Sequence, residues 1–236
     1  MTKTTTIIGL ALGLAVSAVS DAAAQTAGSR AYVDLNIAGQ TQSVTLATSS
    51  AVPLFGELGT TRTSQTVGKG LVFDGGAGYR VRPGLAIGVA FSTFTRNPAG
   101  TVSVTVPDPL VFGRFTVVGA EPKLNHSEFG THVKISYVRR INETVNVALS
   151  GGPSFIRLRQ DIAGATLAGG VPIVTVVRQT ATAVGVNAGL DLNYFVMPRV
   201  GGGVFVRYVG AQADLPAASG VKVGGFQGGL GLRVRF

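Results

Sequence analysis

From residue 30 to Phe236 the chain alternates apolar and polar residues in eight separate segments, and the connections between them are by turns short and long. The segments are 30 to 38, 71 to 81, 85 to 95, 128 to 138, 145 to 155, 181 to 196, 200 to 210 and 222 to 236. In the last, "GGFQGGLGLRVRF", Phe226, Leu230, Leu232, Val234 and Phe236 share one parity, while Gln227, Arg233 and Arg235 share the other. A period of two is that of a strand with chemically different faces. "RPG" (82 to 84), "RRINET" (139 to 144) and "MPR" (197 to 199) are short connections; 39 to 70, 96 to 127, 156 to 180 and 211 to 221 are long. An even strand count with short turns at one end and long loops at the other is the pattern of a membrane-spanning barrel. The expected fold is all-β, an eight-stranded antiparallel up-and-down transmembrane β-barrel with both chain ends on the short-turn side.

Ten strands are the alternative. "TVSVTV" (101 to 106) with "LVFGRFTVV" (110 to 118), and "VPIVTVV" (171 to 177), are strand-like within long connections. They either extend hairpins into a protruding sheet or add two strands. In the fifth segment Val145, Val147 and Leu149 hold one parity, and beyond "SGGP" (150 to 153) Ile156 and Leu158 hold the other. A bulge at Gly151 to Pro153 accounts for that switch.

Alternation alone does not say which face meets water. Val184, Val186, Leu190, Leu192, Tyr194 and Val196 oppose Gly185, Asn187, Gly189, Asp191 and Asn193; Leu71, Phe73, Tyr79 and Val81 oppose Asp74, Gly76, Gly78 and Arg80. The polar face is small, glycine-rich and sparsely charged, which suits a narrow lumen and makes a poor water-facing surface. Composition agrees: 13% charged residues and a mean hydropathy of +0.38, where a soluble domain carries about 25% charged. Beyond the first 25 residues no apolar run reaches the ~18 to 20 that a spanning helix requires.

The N-terminus has the form of an export signal, with Lys3, the apolar run "IIGLALGLAVSAV" (7 to 19) and "AAA" before Gln25. The expectation is a cleaved signal peptide, 1 to 24, and a single barrel domain, 25 to 236, in the cell outer membrane. No cysteine is present, which excludes a disulfide framework and a lipid-anchored cysteine. Removing Lys3 and Asp21 leaves the net charge at +9. On an exported chain that excess points to outer-membrane lipids and lipopolysaccharide, or a surface polyanion, and away from nucleic acid. The loops also lack the aromatic platforms of a nucleic-acid binder. An extracellular partner is expected without being identifiable.

Aromatic residues of the apolar parity fall at two levels. Phe73, Phe91, Phe129, Tyr208 and Phe226 lie toward the long-loop rim, and Tyr79, Tyr137, Tyr194 and Phe236 toward the short turns. From Phe226 to Phe236, at ~3.3 Å per residue and a tilt of ~40°, the span is roughly 25 Å, the height of a barrel's apolar band. Two girdles so spaced fit a bilayer. Together with the export signal, the loop asymmetry and the terminal "LGLRVRF", these features resemble the small outer-membrane barrel family that includes the OmpA transmembrane domain, OmpX and the opacity-type surface proteins. The resemblance spans 25 to 236. It implies that Leu230, Leu232, Val234 and Phe236 are read by the outer-membrane assembly machinery. The chain departs from the family in having no Trp in its girdles, and with no peptidoglycan-binding domain expected after Phe236 the likeness to OmpA stops at the barrel.

By parity the lumen receives Arg80, Lys134, Arg207, Arg233 and Arg235 against Asp34, Asp74 and Asp191, with His132 as a further titratable group. An ion-pair network plugging a narrow bore is one reading; a small anion-favouring pore is the other. For an enzyme the nucleophile and base must meet, yet the neighbours His126 and Ser127 point to opposite faces. His126 with Glu128, and His132 with Lys134 and Ser136, share faces without forming a recognisable catalytic set. Two histidines without a carboxylate cluster make a poor metal site, and no cofactor is expected. "VGGGVF" (200 to 205) lacks the helix a phosphate loop needs. The functional expectation is a non-enzymatic envelope protein whose barrel anchors long interaction loops, with a small-solute porin as the alternative.

Overall fold

A computed structural model describes residues 30–54, 57–107, 113–121, 123–168 and 171–236 of the protein. The expected signal peptide lies outside the described residues. Twelve strands follow in order: β1 (Ala31–Gln40), β2 (Val44–Leu54), β3 (Glu57–Val67), β4 (Gly70–Arg82), β5 (Leu85–Arg96), β6 (Gly100–Pro107), β7 (Arg114–Glu121), β8 (His126–Arg140), β9 (Val145–Ala168), β10 (Val171–Phe195), β11 (Val200–Leu215) and β12 (Ala218–Arg235). Eight of them close a barrel in the order β1-β12-β11-β10-β9-β8-β5-β4. The first strand seals against the last, from Tyr32↔Arg235 to Gln40↔Gln227, so the barrel has no free edge. At the tight β4–β5 turn Gly84 takes a φ of 80°, a left-handed conformation that glycine adopts without strain.

The barrel count is eight, and the strand-like stretches within the loops go elsewhere. Residues 171 to 177 are the distal part of β10, paired with β9 out to Val171↔Ala168. Residues 101 to 106 lie in β6, which pairs with β7; part of the 110 to 118 stretch lies outside the described residues. The long connection 39 to 70 folds as the β2–β3 hairpin, and β3 pairs with β6 from Thr60↔Thr105 to Gln65↔Gly100. Two loops that look independent in sequence thus form one four-stranded sheet, β2-β3-β6-β7.

The parity switch in β9 has a different cause from the bulge expected at Gly151 to Pro153. The β8–β9 register is the same on both sides, His132↔Ser154 and Ile135↔Gly151, and no slip occurs. Asn146, Ser150, Ser154, Ile156, Leu158 and Gln160 are all buried on one continuous face. What changes is the lumen. Toward the short turns it is mostly polar; toward the long loops an apolar cluster of Val72, Phe94, Ile156, Leu158, Val209 and Val223 enters it, with Leu46 of β2 and Val67 of β3 joining the same cluster. A second cluster, Val102, Val104 and Val106 of β6 with Leu124 and Ala163, packs the four-stranded sheet against β9. The small, glycine-rich, lightly charged inward face expected from the sequence is joined toward the long loops by this apolar filling. Between the two aromatic levels the outward face is apolar: Leu35, Ile37, Ile87, Ile135, Leu149, Val184, Leu190 and Leu192 are all exposed.

Candidate functional site

Strand pleat and register together place the inward polar groups. Inward residues on adjacent strands stand within side-chain reach, and the closed ladder stacks them around one axis. Three ion pairs form in the lumen, two toward the short turns and the third, Arg207 with Asp74, higher up beside Val72 and Val209. Lys134 Nζ lies 3.5 Å from Asp34 Oδ2, and Arg233 Nη2 lies 3.1 Å from Asp191 Oδ1. Arg207 Nη2 sits against Asp74 Oδ2 as an ion pair, not aligned as a hydrogen bond. Amides link the pairs. Asn36 donates to Asp34 and Asp74 and accepts from Arg233 Nη1, while Asn193 accepts from Arg233 Nε at 2.8 Å. Arg207 Nε and Nη2 donate to Gln227 Oε1 at 3.0 and 2.7 Å, and Gln227 donates to Gln40. Arg235 lies over the Phe195 ring, with Cζ 3.3 Å from the centroid. Arg80 has no carboxylate partner among the described residues.

Midway up, both nitrogens of His132 meet serine hydroxyls, Ser92 Oγ and Ser154 Oγ, each at 2.8 Å. Asn187 Nδ2 reaches Ser154 Oγ and the carbonyls of Gly152, Pro153 and Val133. Pro153 has no N–H to give, and the Asn187 amide occupies the interrupted rung of the ladder. Gly152 has to be glycine: a Cβ there would stand 2.3 Å from the Val133 carbonyl oxygen.

A third group lies beneath the long loops. Gln160 Nε2 donates to the Asp161 carbonyl, which leaves Oε1 to accept, so its 2.6 Å contact makes His126 Nδ1 a donor. His126 Nε2 faces Glu128 Oε1 at 2.9 Å, and Glu128 Oε2 accepts the Gly224 N–H at 3.0 Å. Gly224 has a φ of 89°, open to glycine alone at little cost, and this turns its amide onto the buried carboxylate.

His126 and Ser127 do lie on opposite faces, and the hydroxyls at His132 come with no carboxylate to orient the ring. Both histidines are 1% exposed, inside a filled lumen. That His126 and Glu128 share a face was legible in the sequence; the Ser92–His132–Ser154 contact and the Gln160–His126 contact were missed, because they depend on registers between strands. Among the described residues no cluster of three metal-ligating side chains occurs.

Outside, the girdle residues Phe73, Tyr79, Phe91, Phe129, Tyr137, Tyr194, Tyr208 and Phe226 are all exposed. Phe91 stacks on Phe129 at 6.2 Å, and Tyr208 meets Phe226 at 5.0 Å. On β12, Leu230 and Leu232 face outward, and Val234 and Phe236 are half-buried.

The closed ladder, the apolar exterior and the polar, filled interior define the class: a small transmembrane β-barrel. No family model and no curated protein matches the chain. Among solved structures it is similar to Neisserial surface protein A, at 20% identity over 87% of this chain and 97% of that one, with a TM-score of 0.44. It is also similar to OprG from Pseudomonas aeruginosa (10% identity, 89% and 96% covered, TM-score 0.48) and to Ail, the attachment invasion locus protein of Yersinia pestis (13%, 88% and 99%, TM-score 0.37). Likenesses at this level add nothing to the closed topology and the apolar exterior, on which the class rests.

Proposed function

We propose that the chain is a non-enzymatic outer-membrane protein whose barrel anchors a strand-rich extracellular cap that serves as the interaction surface. In this reading the short turns are periplasmic and the long loops external. The observation that carries it is the closed bore. The apolar cluster of Phe94, Ile156, Leu158, Val209 and Val223 occupies the distal lumen, the Leu46 and Val67 side chains pack onto it, Arg207 and Asp74 pair just below it, and two further ion pairs lie toward the short turns. Lipid contact fits the same orientation. Lys69 and Arg96 stand beside outward Leu71 and Phe73, and Arg157 and Arg159 are exposed on β9, with Arg157 opposite Phe129. Cations just above an aromatic girdle meet lipopolysaccharide phosphates at about 1 kcal/mol each. The outward Leu230, Leu232, Val234 and Phe236 suit recognition by the assembly machinery.

Planar-bilayer recording of the refolded barrel tests the reading. No reproducible stepwise conductance is expected. Stable anion-preferring openings, lost on Arg233→Gln with Arg235→Gln, would instead establish the small-solute porin. Expression should also leave lipid A unaltered; a modification abolished by His126→Ala would make the protein an enzyme.

A further inference from the structure

The lumen receives five cations and three carboxylates, and the three ion pairs leave Arg80 and Arg235 over, both of them toward the short turns. Both line one cavity of about 70 Å³. We propose that this cavity is a binding site for a small oxyanion, a phosphate or carboxylate group, held between the Arg80 and Arg235 guanidinium groups.

Register brings the two together from either side of β1. Arg235 is the Cα partner of Tyr32, and the Arg80 amide donates to the Arg30 carbonyl at 2.8 Å. Two strand spacings of ~4.8 Å across and two residues of ~3.3 Å along β1 put their Cα atoms about 12 Å from one another, and both side chains line the one cavity between. Arg235 is 7% exposed, and its Nε is buried without a hydrogen-bond partner among the described residues. A buried guanidinium donor with no acceptor is costly. Phe195 covers one face of that guanidinium, leaving its in-plane donors for a ligand. Asp34 and Asp191 also line the cavity; Lys134 engages Asp34 Oδ2 and Arg233 engages Asp191, while Asp34 Oδ1, itself without a hydrogen-bond partner among the described residues, lies against β4, where a Cβ on Gly76 would stand 3.0 Å from it. The cavity has room for more than a single water. An oxyanion accepts several N–H bonds at once and cancels the excess charge, which water cannot do. The site stands whether or not the barrel conducts, since closure lies at the opposite end of the lumen.

The test is 15N NMR of the arginine Nε–H groups in the full mature chain folded in detergent micelles. Sodium phosphate and sodium acetate are titrated separately against sodium chloride at matched ionic strength. The expected result is a saturable shift at Arg80 and Arg235 with phosphate, acetate or both, abolished by Arg80→Gln while the heat-modifiable folded band is retained. Arg199→Gln, at an exposed turn cation, should leave the shift intact. Saturation by phosphate alone identifies a phosphate-bearing ligand, and by acetate alone a carboxylate-bearing one. Shifts that rise without saturation as chloride shifts do, or that persist in Arg80→Gln, overturn the proposal. Should Arg235→Gln disturb the terminal strand, Arg80→Gln carries the test by itself.

Discussion

Asp74 and Arg207 show what a buried pair does in a barrel this narrow. Both side chains are almost wholly out of water, so neither charge tolerates losing the other. Arg207→Met should destabilise the folded barrel by about 3 to 5 kcal/mol, and the double variant Arg207→Met with Asp74→Leu should recover most of that loss. Urea titration of the two variants in detergent checks the difference. Asp161 behaves differently because it lies in the distal β9–β10 hairpin. The Arg178 guanidinium, bound at 2.8 Å, holds its carboxyl below the ordinary carboxylate range, with the Asn125 amide assisting. A lowered pKa means that the contact stabilises the folded hairpin fully above the ordinary Asp value of about 3.9 and is lost as pH falls through the folded value. Amide exchange at Ile162 and Val177 should accelerate over that acid range, and Asp161→Asn should remove the pH dependence. Parity put Asp74 and Arg207 on the inward face from sequence alone. That they meet each other was not legible, because spacing within a strand says nothing about register between β4 and β11.

The four-stranded sheet turns two loops into one element. In β2 and β3 half the residues are Thr, Ser or Ala, and Thr48 and Ser50 interrupt the apolar parity of β2, so no continuous apolar stripe marks a strand; the pairing is held by backbone bonds and Thr–Thr contacts such as Thr45 with Thr66. That is why 39 to 70 reads as a loop while the valine-rich 101 to 106 reads as a strand. The supposed bulge in β9 has a related origin. An apolar residue pointing inward mimics a register slip wherever the lumen changes from polar to apolar. Ser64 and Thr101 are Cα partners across the β3–β6 seam, and the chain has no native cysteine. Ser64→Cys with Thr101→Cys should therefore oxidise to an intramolecular crosslink on intact cells, read as a mobility change under non-reducing electrophoresis. Independent loops would leave both thiols free for labelling.

For the whole molecule, everything follows from one inversion of the usual order: apolar side chains outside, hydrogen-bonded and ion-paired ones inside. That inversion explains why so few charges suffice, and why an eight-stranded wall leaves a filled lumen. The eight barrel strands, their short turns and their outward faces were legible in the sequence because period two survives any register. The direct measurement is a spin-label scan along β10 of the barrel in lipid vesicles, one cysteine at a time from Gly189 to Asn193. Oxygen accessibility should peak at Leu190 and Leu192 and fall at Gly189, Asp191 and Asn193. A water-soluble nickel relaxant that reaches Leu190 and Leu192 as readily as oxygen does, or an oxygen profile with the opposite phase, would contradict the lipid-facing wall.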